Sequence, residues 1–171
     1  HETVQQVIDE RAASTPNAIY LVDPASGVKT TYSELQLAAR NIANIISAKG
    51  INQGESVGYA LSNSTTSAIT ILGILYGGYL ATAINLVAGN SVIAYVLEHS
   101  ECKLIFANEA GKQAIAEPLK EVPDIPVEMV SAELLTKDKP NNSTPQNNDT
   151  GGLLMYTSGT TGRPKGVVLS Q

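Results

Sequence analysis

Apolar residues at Val4, Val7, Ile8 and Ala12 share one face of a helix over 3–13, and Ser14-Thr15-Pro16 ends the pattern. Ala18 to Val22 reads as a short strand, Asp23-Pro24-Ala25-Ser26-Gly27 as a turn, and Val28 to Thr31 as its hairpin mate. Ser33 followed by Gln36 has the capping-box spacing. The stripe Leu35, Ala38, Ala39, Ile42, Ile45, Ile46 behind it predicts a helix ending near Lys49-Gly50. Beyond it the pattern alternates: strand 56–61, helix 65–77, strand 80–84, helix 91–99, strand 103–107, helix 109–120 and a short strand over 127–130.

Strands and helices alternating at these lengths predict an α/β fold, with a mostly parallel sheet and helices on its faces. Residues 136–150, TKDKPNNSTPQNNDT, hold no apolar side chain large enough to anchor them and read as an exposed polar linker or mobile loop. The chain then divides into an α/β subdomain over 1–135, the linker, and a strand, loop and strand over 151–171.

At 171 residues the chain fits one domain. Eleven basic against sixteen acidic residues give a formal charge of −5, the wrong sign for holding nucleic acid by counterion release. The single cysteine, Cys102, allows no internal disulfide, so a cytoplasmic setting is expected. Residues 1–10 carry no signal-peptide pattern, and the absence of an initiator methionine implies that the chain was processed or cut from something longer. Between Glu55 and Glu98 no charged residue occurs, and Gly73 and Gly77 form a GxxxG within that stretch. A membrane span is the alternative there. Gly77-Gly78, Asn85 and Asn90 break the stretch into a helix and a strand, and no basic cluster or Trp marks an interface. No transmembrane segment is expected, and the GxxxG is assigned to close packing of the helix on the sheet.

The chemistry lies in GLLMYTSGTTGRPKGVVLS, residues 152–170. Two apolar runs, Leu153 to Tyr156 and Val167 to Leu169, flank a loop rich in glycine and hydroxyls. Gly159, Gly162 and Gly166 permit positive φ and close backbone approach, so successive N–H groups can converge on an anion. Thr157, Ser158, Thr160 and Thr161 add rotatable hydroxyl donors, and Lys165 adds a full charge. This is no Walker A loop, because Lys165 sits between Pro164 and Gly166 ahead of a β-branched run, and no G-x-G-x-x-G occurs. On residue types alone a phosphate cradle and an ordinary polar hairpin loop both remain open. His99 and Cys102 have H-x-x-C spacing, but two ligands fall short of a structural zinc site, so helix-end packing is expected. Tyr76, Tyr79 and Tyr95 are expected in the core with their hydroxyls satisfied.

YTSGTTGRPKGV, residues 156–167, resembles the phosphate-loop signature of the adenylate-forming (AMP-binding) superfamily, which includes acyl-CoA synthetases, peptide-synthetase adenylation domains and luciferases. Thr31-Tyr32-Ser33-Glu34-Leu35 is similar to the family's early T-Y-x-E-L element. Gly73-Ile74-Leu75 is similar to the start of its G-I-L-K-A-G segment, and residues 94–104 resemble the helix-to-strand passage common in acyl-CoA synthetases. The resemblance implies the amino-terminal part of that fold, ending just after the phosphate loop, in an enzyme that joins a carboxylic acid to ATP as an acyl adenylate and transfers it to CoA. It implies that Thr157, Ser158, Gly159, Thr160, Thr161 and Gly162 wrap the phosphates and that Lys165 acts on leaving-group charge. Arg163 is left out as a solvent-facing residue. The loop is expected to be mobile without nucleotide and to order on binding.

Some positions depart from the family pattern. Tyr76-Gly77 stands where Lys-Ala is frequent, Ala83 and Leu86 replace prolines around Asn85, and Gln171 follows Ser170 where His is common. Asn85 itself resembles the CoA ligases, whereas amino-acid-activating domains commonly carry Asp. The magnesium ligand, the acyl pocket and the second catalytic lysine of the family lie after the phosphate loop. The chain is therefore expected to need the remainder of its polypeptide and to be inactive by itself. An amino-acid or fatty-acid adenylation domain that loads a carrier protein, and a non-catalytic nucleotide-binding module, are the alternatives.

Overall fold

The computed structural model describes residues 2–122, 124–136, 150–157 and 162–171. Helix α1 (Val4–Ser14) opens with a capping box between Thr3 and Gln6. A two-stranded antiparallel hairpin follows, β1 (Ile19–Val22) and β2 (Lys29–Thr31), its turn held by Asp23, whose carboxylate accepts from Ala25 N–H and Ser26 Oγ. Helix α2 (Tyr32–Ala48) is capped by Thr31, two residues earlier than the Ser33–Gln36 spacing suggests. Thr31 Oγ1 accepts from the Glu34 N–H at 3.3 Å, and the Glu34 carboxylate accepts from the Thr31 N–H at 2.8 Å. Gln36 is drawn elsewhere: its amide donates to Asp9 Oδ1 of α1 at 2.6 Å.

The rest alternates as the pattern predicts: β3 (Ser56–Ala60), α3 (Thr65–Tyr76), β4 (Leu80–Ala83), α4 (Asn90–His99), β5 (Ile105–Ala107), α5 (Glu109–Ile115), β6 (Val127–Met129), α6 (Ala132–Thr136), β7 (Gly152–Thr157) and β8 (Lys165–Ser170). The expected helix over 109–120 is cut short. Pro118 has no amide hydrogen for the next helical bond, and the chain continues as a 3-10 turn over Pro118–Lys120. Helix α6 is too short for periodicity to announce it; Leu135 buries its side chain in the core beside α2.

The six-stranded sheet runs β6-β5-β3-β4-β7-β8, parallel except for the antiparallel β7–β8 pair at one edge. Period-two alternation sends Val57, Ala81, Leu104 and Phe106 to the face covered by α1, α2, α3 and α6. Ala60, Ile105 and Ala107 go to the face covered by α4 and α5. The uncharged stretch 56–97 is thus divided among β3, α3, β4 and α4, and no helix among the described residues is long and apolar enough to cross a membrane.

Gly73 and Gly77 serve a different contact from the one expected. A Cβ on Gly73 would lie 2.5 Å from Ile42 Cβ, and one on Gly77 would lie 2.3 Å from the Tyr79 ring and 3.1 Å from Ala43. The small face of α3 is turned to α2, not to the sheet, and lets the two helices approach closely. Residues 137–149, most of the expected linker, lie outside the described residues.

Candidate functional site

In a parallel sheet the carboxyl ends of the strands share one edge, and ligands of open α/β folds bind outside that edge. Here β7 is seated beside β4, with Leu80 opposite Gly152 and Thr82 opposite Leu154, so β7 ends at the same edge as β3, β4 and β5. Strand β8 returns antiparallel along it, and the last register pair before the connecting segment is Thr157 opposite Lys165. Thr157 and Lys165, the residues that flank 158–164, are thereby paired at the carboxyl edge of the sheet. The hydroxyl and the ammonium side chain proposed to meet an anion start from facing positions.

Of the residues expected to form the cradle, Thr157, Gly162 and Lys165 are described and exposed. Ser158, Gly159, Thr160 and Thr161, together with the expectation that the loop is mobile, lie outside the described residues. Gly162 has φ 86°, a left-handed conformation that favours glycine. Arg163 is exposed, as expected, and Pro164 is half-buried where the chain enters β8.

Beside the loop exit lies a cavity of about 640 Å³. One wall is Ile84 and Asn85 after β4, a second is Val92 and Val96 of α4, and a third is Tyr156 with Gly162 to Pro164. Asn85 shapes the first wall, since its Oδ1 accepts from the Val87 N–H at 3.1 Å and tightens the turn after β4. Burial pushes the Tyr156 hydroxyl up from its ordinary value, so it remains protonated near neutral pH. That hydroxyl meets His99 Nδ1 at 2.9 Å.

The pairing of His99 with Tyr156 was not visible in the sequence, where His99 stood out only for its spacing from Cys102. The structure separates those two. Cys102 is buried, its thiol donates to the Leu104 carbonyl at 3.2 Å, and burial pushes it up to about 11. His99 stacks on Tyr95, with ring centroids 5.2 Å apart, so the helix-end packing expected for the H-x-x-C pair is what is found. Among the described residues no group of three or more His, Cys, Asp or Glu is placed to hold a metal ion. Tyr76 and Tyr79 are core residues, and Tyr95 is half-buried at the surface of α4.

These features define an α/β domain with a mostly parallel sheet, at whose carboxyl edge Thr157 and Lys165 flank a sequence rich in glycine, serine and threonine. The family model described as "AMP-binding enzyme" matches residues 8–171, and the chain belongs to that adenylate-forming family. It is 35 % identical over 178 residues to the sulfoacetate–CoA ligase of Cupriavidus necator, covering 99 % of this chain and 35 % of that protein. It is 30 % identical over 175 residues to tyrocidine synthase 2 of Brevibacillus parabrevis, covering 98 % of this chain and 4 % of that protein. The solved structure of a benzoate CoA ligase from Burkholderia xenovorans LB400 superposes with a TM-score of 0.82 at 19 % identity, over 99 % of this chain and 35 % of that one, a likeness of fold. The chain spans about a third of the length of the CoA ligases it matches, 35 % for the Cupriavidus enzyme, and far less of the peptide synthetase.

Proposed function

We propose that the complete protein carrying this chain is an ATP-dependent acid–thiol ligase, in which a carboxylate oxygen attacks the α-phosphorus of ATP and the bond to the departing pyrophosphate breaks. The thiol of CoA then attacks the acyl carbonyl and releases AMP. The observation that carries this reading is the Thr157–Lys165 pair, which fixes both ends of the T-S-G-T-T-G-R-P-K loop at the carboxyl edge of the sheet.

In this reading Thr157, Ser158, Gly159, Thr160, Thr161 and Gly162 wrap the β- and γ-phosphates through backbone N–H groups and hydroxyls. Lys165 stabilises the charge that accumulates on pyrophosphate as it leaves. Holding the phosphates in line with the breaking bond supplies the orientation that an in-line displacement needs. Magnesium would partner the nucleotide phosphates, and its protein ligand is assigned to the rest of the polypeptide. CoA is preferred over a carrier protein as acceptor on two grounds: Asn85 resembles the CoA ligases, and a CoA ligase is 35 % identical over 99 % of this chain. A cytoplasmic setting belongs to the same proposal, since ATP and CoA are its substrates.

The apolar side chains on β8 favour a chain that works as part of a larger unit. Val167, Val168 and Leu169 are 45, 58 and 53 % exposed and need a covering surface, which the remainder of the polypeptide would supply. The isolated 171 residues should therefore be silent in ATP–pyrophosphate exchange, and measurable exchange by them would overturn this part of the proposal. In the complete protein, assayed with a panel of organic acids, Lys165→Ala should slow exchange by roughly ten- to a thousandfold. An unchanged rate removes Lys165 from its role.

A further inference from the structure

Tyr156 stands one residue before Thr157 and directly opposite Gly166, so its ring spans the strand pair at the base of the loop. A Cβ at position 166 would approach Tyr156 Cε1 and Cζ to 3.4 Å, and glycine there leaves the ring room to lie over the partner strand. The Tyr156 hydroxyl continues past the sheet to His99 Nδ1 at 2.9 Å, with the two rings edge to face at 5.7 Å and 85°. His99 stacks on Tyr95 one turn back along α4, at 5.2 Å and 29°, and Tyr95 meets Tyr156 edge-on at 6.5 Å. Three rings thus tie the last turn of α4 to the strand that leads into the loop.

At this level the ladder to β4 has ended and β7 is paired only with the edge strand β8. Met155 before it is 43 % exposed, Thr157 after it is exposed, and every residue of β8 is exposed. A site that must hold phosphates to within a fraction of an ångström needs a support whose own side chains are locked. We propose that His99 and Tyr156 form a clasp that sets the position of the loop base, which makes them positioning residues for nucleotide binding; this rests on the loop gripping phosphates as proposed above. His99 lies 57 residues from Tyr156 in the sequence, and among the described residues its hydrogen bond to this strand is the one to the Tyr156 hydroxyl.

The test uses the complete protein and the non-hydrolysable probe α,β-methylene-ATP, titrated calorimetrically. Stoichiometry counts folded sites, while the dissociation constant reports how well each folded site binds. Tyr156→Phe and His99→Leu should each weaken the probe by about three- to tenfold at unchanged stoichiometry, the scale of one lost hydrogen bond. The double variant should be no weaker than either single one, because both remove the same contact. His99→Asn, whose amide can stand in for the Nδ1 position, should restore binding to within about twofold of the parent. Lost stoichiometry with an unchanged constant, or independent effects that multiply in the double variant, would overturn the clasp. A normal constant in Tyr156→Phe and His99→Leu alongside weakened binding in Lys165→Ala would overturn the clasp and leave the phosphate loop standing. Normal binding in all three would overturn the phosphate loop itself.

Discussion

The Tyr76 hydroxyl donates to Asp9 Oδ1 at 2.7 Å and joins the end of α3 to α1 across the flank of α2. Arg40 of α2 closes the triangle, with its Nε donating to the Tyr76 oxygen at 3.1 Å and its Nη2 reaching Asp9 at 3.3 Å. Tyr76 itself is fully buried, so its polar tip must find a partner or lose one from water. Removing the hydroxyl leaves the Arg40 Nε–H without this acceptor and the Asp9 carboxylate with one donor fewer. Tyr76→Phe should lower unfolding free energy by about 1–3 kcal/mol in a urea titration. A change under about 0.5 kcal/mol would mean that water replaces the hydroxyl at little cost.

The approach of α3 to α2 rests on Gly73. With Ile42 Cβ only 2.5 Å from where a new methyl would sit, Gly73→Ala must push one helix away from the other. The expected loss is about 2–3 kcal/mol, against a small helix-propensity gain from alanine. Pairing it with Ile42→Ala in the same chain should recover part of that loss, although Ile42→Ala alone is destabilising, because the two changes share one space. Additive losses in the double variant would contradict this packing.

Much of the architecture was legible along the chain because it is local. The stripe from Leu35 to Ile46 marks α2, and the alternation from 56 to 130 marks the parallel sheet. The loop motif at 156–167 was legible through its resemblance to a family signature, because Gly, Ser and Thr by themselves serve any turn. Contacts between distant residues were not. Nothing near Asp9 indicates that Tyr76 will meet it 67 residues later, and nothing near His99 indicates Tyr156. The GxxxG showed that α3 packs closely, but choosing between sheet and helix as its neighbour required knowing that α2 lies against it. At the start of α2 two spacings satisfied the same capping rule, and the choice fell to Thr31 and Glu34 because Gln36 has a partner on α1.

Alkaline pH should unfold the protein for a specific reason. Burial raises the Cys102 thiol to about 11, and burial also raises Tyr59, Tyr76 and Tyr79. Each group keeps its proton in the folded chain at pH values where the unfolded chain has released it, so unfolding releases protons and stability falls as pH rises. The stabilisation is intact below about pH 9 and is lost as pH climbs through the folded-state value of about 11, with Cys102 contributing on the order of 2 kcal/mol. Urea midpoints at pH 8 and pH 10.5 should differ in the parent and differ less in Cys102→Ala. An equal drop in both would assign the alkaline loss to the tyrosines alone.

Strand β8 pairs with β7 on one side and lies at the edge of the sheet, with Val167, Val168 and Leu169 among its exposed side chains. An edge of this kind is a template for pairing with another chain unless something covers it or a charge interrupts it. By itself the 171-residue chain should therefore self-associate with rising concentration, and Val168→Lys, at the most exposed of the three positions, should reduce that association in sedimentation velocity. In the complete protein the same substitution should act in the opposite sense. If the remainder of the polypeptide covers β8, a lysine there places a charge in a packed contact, and the unfolding midpoint should drop. A chain that stays monomeric alone, joined to a complete protein indifferent to Val168→Lys, would show that β8 needs no cover and would take away the support that its apolar face gives to a larger enzyme.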